Sequence, residues 1–353
     1  MADNGNEAEE EMARAIFIPG DCWLSVFDWL SPRRLGLEIA LFSHRFDIYV
    51  SEHFKTRKWA LKSMEILRKI GENGTKEMKI VNYAGEELPI PQKPLPRVVG
   101  FEAISISCID QNVIAFLHRF RHLFATCQVN LSIDTTNDRI LDFILCNIWP
   151  MFGKNVHAIE LSAKFFHRLR QFVPPILNKC PSLGIVSFNA DNMFPEFPPA
   201  DENAAASDGQ SVAKWLFTPL QDNVPKVLIC QLKMDGGILA SRIAAFKAAF
   251  ASASSPANFI VVICFQLSFA VPFVLTNKLT REQLALKRTS NSRRFLLIRC
   301  PIERDESKWT KWEKEAFNWQ MYDQRNRINI EIYNEDDIGD WLLDETPDPS
   351  DLQ

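Results

Sequence analysis

The chain of 353 residues contains no run of about 18 uncharged apolar residues, the length a membrane-spanning helix needs. Its most apolar stretch, Phe259 to Val274, carries Gln266 and Ser268 and is interrupted by Pro272, so buried strands are expected there and no membrane partner. The N-terminus is acidic and polar. It lacks the basic and apolar regions of a secretory signal, and the expected location is the cytoplasm and/or nucleus. No C-x-x-C pair occurs among Cys22, Cys108, Cys127, Cys146, Cys180, Cys230, Cys264 and Cys300, which are expected to be small buried hydrophobes rather than disulfides or metal ligands. Also missing are the glycine-rich phosphate-binding patterns and G-x-S-x-G. No pair of carboxylates stands out as acid and base. His118 and His122 are four residues apart, but two of the three residues between them are arginines and H-E-x-x-H is absent. No enzyme activity, cofactor or metal is expected. The run Arg119, Phe120, Arg121, His122 reads as the solvated side of a helix, so no nucleic-acid partner is expected either.

What the chain does have is ordinary for a folded protein: 46% hydrophobic and 24% charged residues. Its formal charge of −4 is unevenly spread. An acidic head (Asp3, Glu7, Glu9, Glu10, Glu11) and an acidic tail (Glu331, Glu335, Asp336, Asp337, Asp340, Asp344, Glu345, Asp348, Asp351) hold 14 of the 44 acids, which leaves a body near +10.

Residues 1–14 have too little apolar content to fold and are expected to be a disordered head. Three short amphipathic helices follow within residues 15–60. The first is Asp21 to Leu30, with Asp21 as cap and Trp23, Leu24, Val26, Phe27 and Leu30 at helical spacing. The second starts at Ser31-Pro32 and repeats Leu35, Ile39 and Phe42; Ser before Pro is a good helix start. The third is Ser43 to Lys58, with Phe46, Val50 and Phe54 at four-residue steps. A unit this short is near the lower limit for building its own core. Residues 61–99 are punctuated by glycine and proline and read as a linker, with Met78 to Asn82 as one short strand.

Over residues 100–333 strand-like and helix-like runs alternate. Expected strands are Phe101 to Ser107, Val129 to Ile133, Val156 to Leu161, Gly184 to Phe188, Lys226 to Leu232 and Asn258 to Phe265. Expected helices include Asn112 to Phe124, Asp138 to Met151, Phe165 to Cys180 and Ser241 to Ala253. The first four strands start about 28 residues apart. That period suggests a leucine-rich-repeat-like α/β solenoid. An ordinary α/β sheet gives the same alternation, and the repeat consensus is poor. Pro195 to Gly209 reads as a mobile loop. An irregular β-rich part follows: Phe273 to Thr276, Gln283 to Lys287 and Arg294 to Cys300 as a meander, helix Ser307 to Gln320, and a last strand Ile328 to Ile332. Residues 334–353 form the acidic tail, in which Ile338, Trp341, Leu342 and Leu343 could dock.

The N-terminal residues carry a family resemblance. Ile18-Pro19, Asp21, Trp23-Leu24, Val26-Phe27, Trp29-Leu30, Leu35, Ile39-Ala40, Phe42 and Ser43-His44-Arg45-Phe46 resemble the F-box pattern across residues 18 to 58. Phe46 stands where tryptophan is commonest and Ile18 where leucine is commonest. The run Phe46 to Phe54, Leu88-Pro89-Ile90-Pro91-Gln92, Arg299-Cys300-Pro301-Ile302 and the spaced Trp309 and Trp312 look like the expanded F-box families of nematodes. The resemblance implies a non-catalytic substrate-recognition subunit of an SCF-type cullin-RING ubiquitin ligase. It would bind a Skp1-like adaptor through Ile18, Pro19, Trp23, Leu24, Val26, Phe27, Leu30, Leu35 and Phe42, and an unknown target through the C-terminal domain. Trp309, Trp312 and Trp319, three and seven residues apart, are candidate target-binding side chains if their helix face is exposed. The alternative is a non-ligase interaction scaffold of the leucine-rich-repeat type.

Overall fold

A computed structural model gives the fold. It describes residues 18–30, 34–56, 59–70, 76–82, 85–88, 98–152, 154–172, 177, 180–188, 193–201, 205–220, 222–233, 236–265, 271–288, 294–339 and 342. The chain divides into two compact units, Met1–Trp59 and Ala60–Gln353. The acidic head lies outside the described residues, as does the Ser31-Pro32 start signal.

In the first unit, helix α1 spans Gly20–Phe27. Asp21 does not cap it: the cap position is Pro19, and Asp21 sits in the first turn, where a carboxylate favours the positive helix end. The helix stops before Leu30, and the amides of Trp29 and Leu30 close a turn on the Val26 and Phe27 carbonyls. The second expected helix is a π turn, Leu35–Ile39, running into a 3-10 turn, Ala40–Phe42. Helix α2 spans His44–Thr56.

The second unit is built on one mixed sheet. Strands are β1 Trp59–Leu61, β2 Met64–Ile70, β3 Lys76–Asn82, β4 Glu87–Leu88, β5 Val98–Phe101, β6 Ala103–Ile106, β7 Val129–Asp134, β8 Val156–Leu161, β9 Ile185–Phe188, β10 Lys226–Leu232, β11 Phe259–Phe265, β12 Phe273–Asn277, β13 Glu282–Arg288, β14 Arg294–Pro301 and β15 Arg327–Glu331. The connecting helices are α3 Gln111–Thr126, α4 Asp138–Phe143 (continuing through a π turn into α5 Trp149–Phe152), α6 Ala163–Phe172, α7 Asp208–Phe217 and α8 Gly236–Ser252, and α9 spans Glu306–Asn318. The strand order is β12-β13-β14-β11-β10-β9-β8-β7-β15-β6-β2-β3-β4, with β1 and β5 paired separately. From β2 to β11 the neighbours are parallel; β12 to β14 and β3 to β4 are antiparallel extensions.

Strands β6 to β11 progress in one direction across the sheet. Parallel crossovers are right-handed almost without exception, so such a progression puts every connecting helix on one face. The aromatic contacts agree: Phe166 of α6 meets Phe188, and Phe217 of α7 and Phe246 of α8 meet Phe259. Helix α9 packs on the opposite face, where Trp309 and Ala316 join Val227, Ile229, Ile260, Val262, Leu296 and Ile298 in one core cluster.

Three expectations change. Residues 61–99 are more than a linker, because β2, β3 and β4 extend the main sheet and bury Ile66 and Ile80. The glycines that suggested a linker fall between the paired strands. Within Pro195 to Gly209, read as a mobile loop, the described residues are anchored by side-chain contacts. Phe197 lies between the rings of Phe217 (5.3 Å) and Phe246 (4.9 Å). Ser207 donates to Glu196 (2.6 Å), which also pairs with Arg242 (2.7 Å). Ser207 and Gln210 form a capping box that starts α7, which supplies the helix expected after the Gly184 to Phe188 strand without stated bounds. Finally, β15 breaks the regular succession by inserting between β6 and β7. The preceding loop is pinned there: Asn326 accepts the Phe101 amide, and Asn130 donates to the Arg325 carbonyl at 2.7 Å.

The start of the acidic tail docks. Ile338 bridges to Ile109, Leu342 is buried, and Glu335 accepts from Arg139 and Asn137 at 2.9 Å each. Trp341 and Leu343 lie outside the described residues. All eight cysteines are free, and Cys22 is exposed, against expectation. Burial pushes the Cys108 thiol up to about 12, so it is a poor nucleophile. Among the described residues no helix is long and apolar enough to cross a membrane.

Lys226 is only 4% exposed; its ammonium donates to the Trp215 carbonyl (2.5 Å) and lies 4.9 Å over the Trp215 ring. Burial lowers its pKa from 10.5 to about 7. Between those values the unfolded chain holds the proton and the folded chain does not, so stability rises with pH across that window. Lys226→Met is expected to remove this rise and to add roughly 3 kcal/mol at pH 7, read from urea midpoints at pH 7 and pH 9.5. The Trp215 carbonyl keeps a partner in the Thr218 amide. An unchanged slope in the variant would assign the pH dependence to another group.

Candidate functional site

The first unit has a small core of Phe27, Leu35 and Val50, against which Trp23, Leu24, Leu30, Ile39, Phe46, Tyr49 and Phe54 pack. His53, buried, stands edge-on to Phe27 with centroids 5.7 Å apart. Trp23 stands edge-on to Phe46 at 4.8 Å, and Phe46 edge-on to Phe42 at 6.2 Å. Arg45 ties α2 back to the chain ahead of α1 by donating to the Ile18 carbonyl at 3.0 Å and to the Tyr49 hydroxyl at 2.9 Å.

The nine residues singled out as adaptor contacts separate into three groups. Ile18, Pro19, Val26 and Phe42 are exposed, Phe42 at 68%. Trp23, Leu24 and Leu30 are half-buried against the core. Phe27 and Leu35 are fully buried, so they hold the unit together and cannot themselves meet a partner. Periodicity ranks all apolar positions of an amphipathic helix together; it cannot separate the core line from the rim beside it. Three exposed apolar side chains were not among the nine: Trp29 (88%), Leu41 (78%) and Ile48. Trp29 and Leu41 sit in turns, outside any helical stripe. Phe42, Phe46 and Trp23 form a line of ring contacts from the open surface into the half-buried rim.

In the second unit, Trp309 is 4% exposed, edge-on to Trp312 at 5.4 Å, with Arg304 stacked 5.1 Å over its ring. It is a core residue and not a surface anchor. Trp312 and Trp319 have a different place. With Ile185, Leu220 and Val224 they line a cleft of about 200 Å³ between α9 and the starting ends of β8, β9 and β10. The cleft is mainly apolar, with His157 on its floor and Glu315 at its wall. Burial lowers the His157 pKa, so its ring favours the neutral form. The Trp319 indole N–H is buried and has no acceptor among the described residues.

No family model matches the sequence, no curated protein is found similar to it, and no solved structure matches the fold.

Proposed function

We propose that the first unit is an F-box-like docking module for a Skp1-like adaptor. In this reading the chain is a substrate-recognition subunit of an SCF-type cullin-RING ubiquitin ligase, intracellular and without catalytic residues of its own. The observation that carries the reading is the exposure of Val26, Trp29, Leu41 and Phe42 on a short helical unit whose spacing resembles the F-box. Full burial of each such side chain is worth roughly 1.5–3 kcal/mol, of which association consumes a large part. The one-directional parallel order of β6 to β11 supports a leucine-rich-repeat-like reading of the second unit, with β15 as its departure. That unit would hold a target protein while the adaptor brings the ligase.

The test is calorimetric titration of a purified Skp1-type adaptor into the intact chain and into a Val26→Ala/Trp29→Ala/Phe42→Ala variant. The variant changes exposed side chains only. It is expected to bind at least about 100-fold more weakly, with unchanged thermal unfolding. Absence of binding by the intact chain would overturn the ligase reading and leave an interaction scaffold of the repeat type.

A further inference from the structure

The face of the sheet opposite the connecting helices changes character along its width. From β9 to β14 it is apolar and covered by α9. Beyond that helix it turns polar. Side chains alternate between faces along a strand, and paired residues of neighbouring strands share a face. Ile185, which lines the cleft, pairs with Ala158, and two residues further along β8 stands Glu160. Glu160 pairs with Ser132, which pairs with Asn329, which pairs with Ser105, which pairs with Glu65. One step further along β7 and β15 the paired residues are Asp134 and Glu331. The tryptophan cleft and a floor of serine and asparagine bordered by carboxylates therefore share one face of the sheet; its one cation on β15, Arg327, is held by the Met321 and Tyr322 carbonyls. Among the described residues Glu160, Asp134 and Glu331 have no cationic partner, although the body of the chain is basic overall.

We infer that this face is a peptide-binding site whose occupant is a target segment carrying one bulky apolar side chain beside lysine or arginine. The apolar side chain would fill the Trp312–Trp319 cleft, and the cationic residues would lie over Glu160 and Glu331. About 200 Å³ is too small for a typical cofactor or metabolite pocket and suits a single side chain. Three strand spacings separate β9 from β15 by about 14 Å, which about four to six extended residues span. The inference deepens the target-recruiting reading and rests on it for its biological sense. Peptide binding itself needs no adaptor, so the two fail separately.

The experiment selects from a random dodecapeptide library displayed on phage, against the intact chain without adaptor. Enriched peptides are expected to carry a large apolar residue within about six positions of two or more lysines or arginines. Measured by fluorescence anisotropy, a synthetic copy of the strongest peptide is expected to bind about tenfold more weakly to Glu160→Lys/Glu331→Lys, and more weakly to the intact chain in 300 mM than in 50 mM salt. Trp312→Ala is expected to weaken it by a similar factor while leaving the salt dependence in place. The charge-reversed variant alters surface positions and keeps the test valid if Trp312→Ala does not fold. Failure to enrich any peptide, enrichment without this pattern, or equal binding by the charge-reversed variant would each overturn the inference.

Discussion

Arg299→Met is expected to lower the stability of the second unit by about 3–5 kcal/mol. Arg299 and Glu282 are 0% and 1% exposed, and their side chains meet at 2.6 Å between β14 and β13. The guanidinium also donates to the Ser255 carbonyl at 2.7 Å and lies 5.0 Å and 5.3 Å from the rings of Phe217 and Phe250. Glu282 in turn accepts the buried Ala257 amide at 2.8 Å. Methionine fills much of the volume but leaves Glu282 as a buried carboxylate with one amide donor. The cost comes from that unpaired charge and not from a lost attraction, because a buried pair is itself of little net benefit against apolar residues of the same shape. Glu282→Gln on top of Arg299→Met should therefore recover part of the loss, since it removes the charge and keeps a carbonyl for the Ala257 amide. Urea unfolding followed by tryptophan fluorescence measures both. A loss under about 1 kcal/mol for Arg299→Met would mean water reaches Glu282 and the pair is not the clamp of the meander.

Phe27→Ala is the second large effect, and it separates packing from docking in the first unit. Phe27 is fully buried among Leu35, Val50, Trp23, Phe46 and His53. Truncating a buried phenylalanine costs about 3–5 kcal/mol. A folded unit of about 40 residues has a total stability of roughly 2–6 kcal/mol, so the variant should lose most of its folded population. Amide hydrogen exchange over residues 20–56 should become fast, and adaptor binding should disappear with it. Phe42→Ala should weaken adaptor binding while leaving exchange protection intact. Protection retained in Phe27→Ala would show that the unit does not depend on this core.

Much of the fold was legible in advance, for identifiable reasons. Val156 to Leu161 and Lys226 to Leu232 were placed to the residue, because each is a short run rich in apolar residues bounded by polar turns. Strand β2 was missed because its glutamate, arginine and lysine residues dilute the apolar signal: Glu65 sits on the open face of the sheet, while Ile66, between it and Leu67, is buried. The bounds of helix α7 were not set because alanine, proline and aspartate before it suggested a loop, although Ser207 and Gln210 spell a capping box.

The candidate sites divide in the same way. Spacing and a family resemblance brought out the N-terminal apolar residues, but which of them are core and which are rim depends on how α1, α2 and the turns between them pack. Trp309, Trp312 and Trp319 were visible as one helical face, yet only the seating of α9 on β10, β11 and β14 buries the first and leaves the other two at a cleft. The carboxylates Glu160 and Glu331 are 171 positions apart and carry no sequence signal as a pair. They come to one face of the sheet, two strands apart, because β15 inserts between β6 and β7. The sequence by itself determined the alternation of strands and helices and the short N-terminal helical segments, since hydrophobic periodicity and turn residues are local properties of the chain. Strand order, the burial of individual aromatic residues and the placing of distant carboxylates on one face were decided by the tertiary structure alone, because they depend on which apolar surfaces find one another at long range.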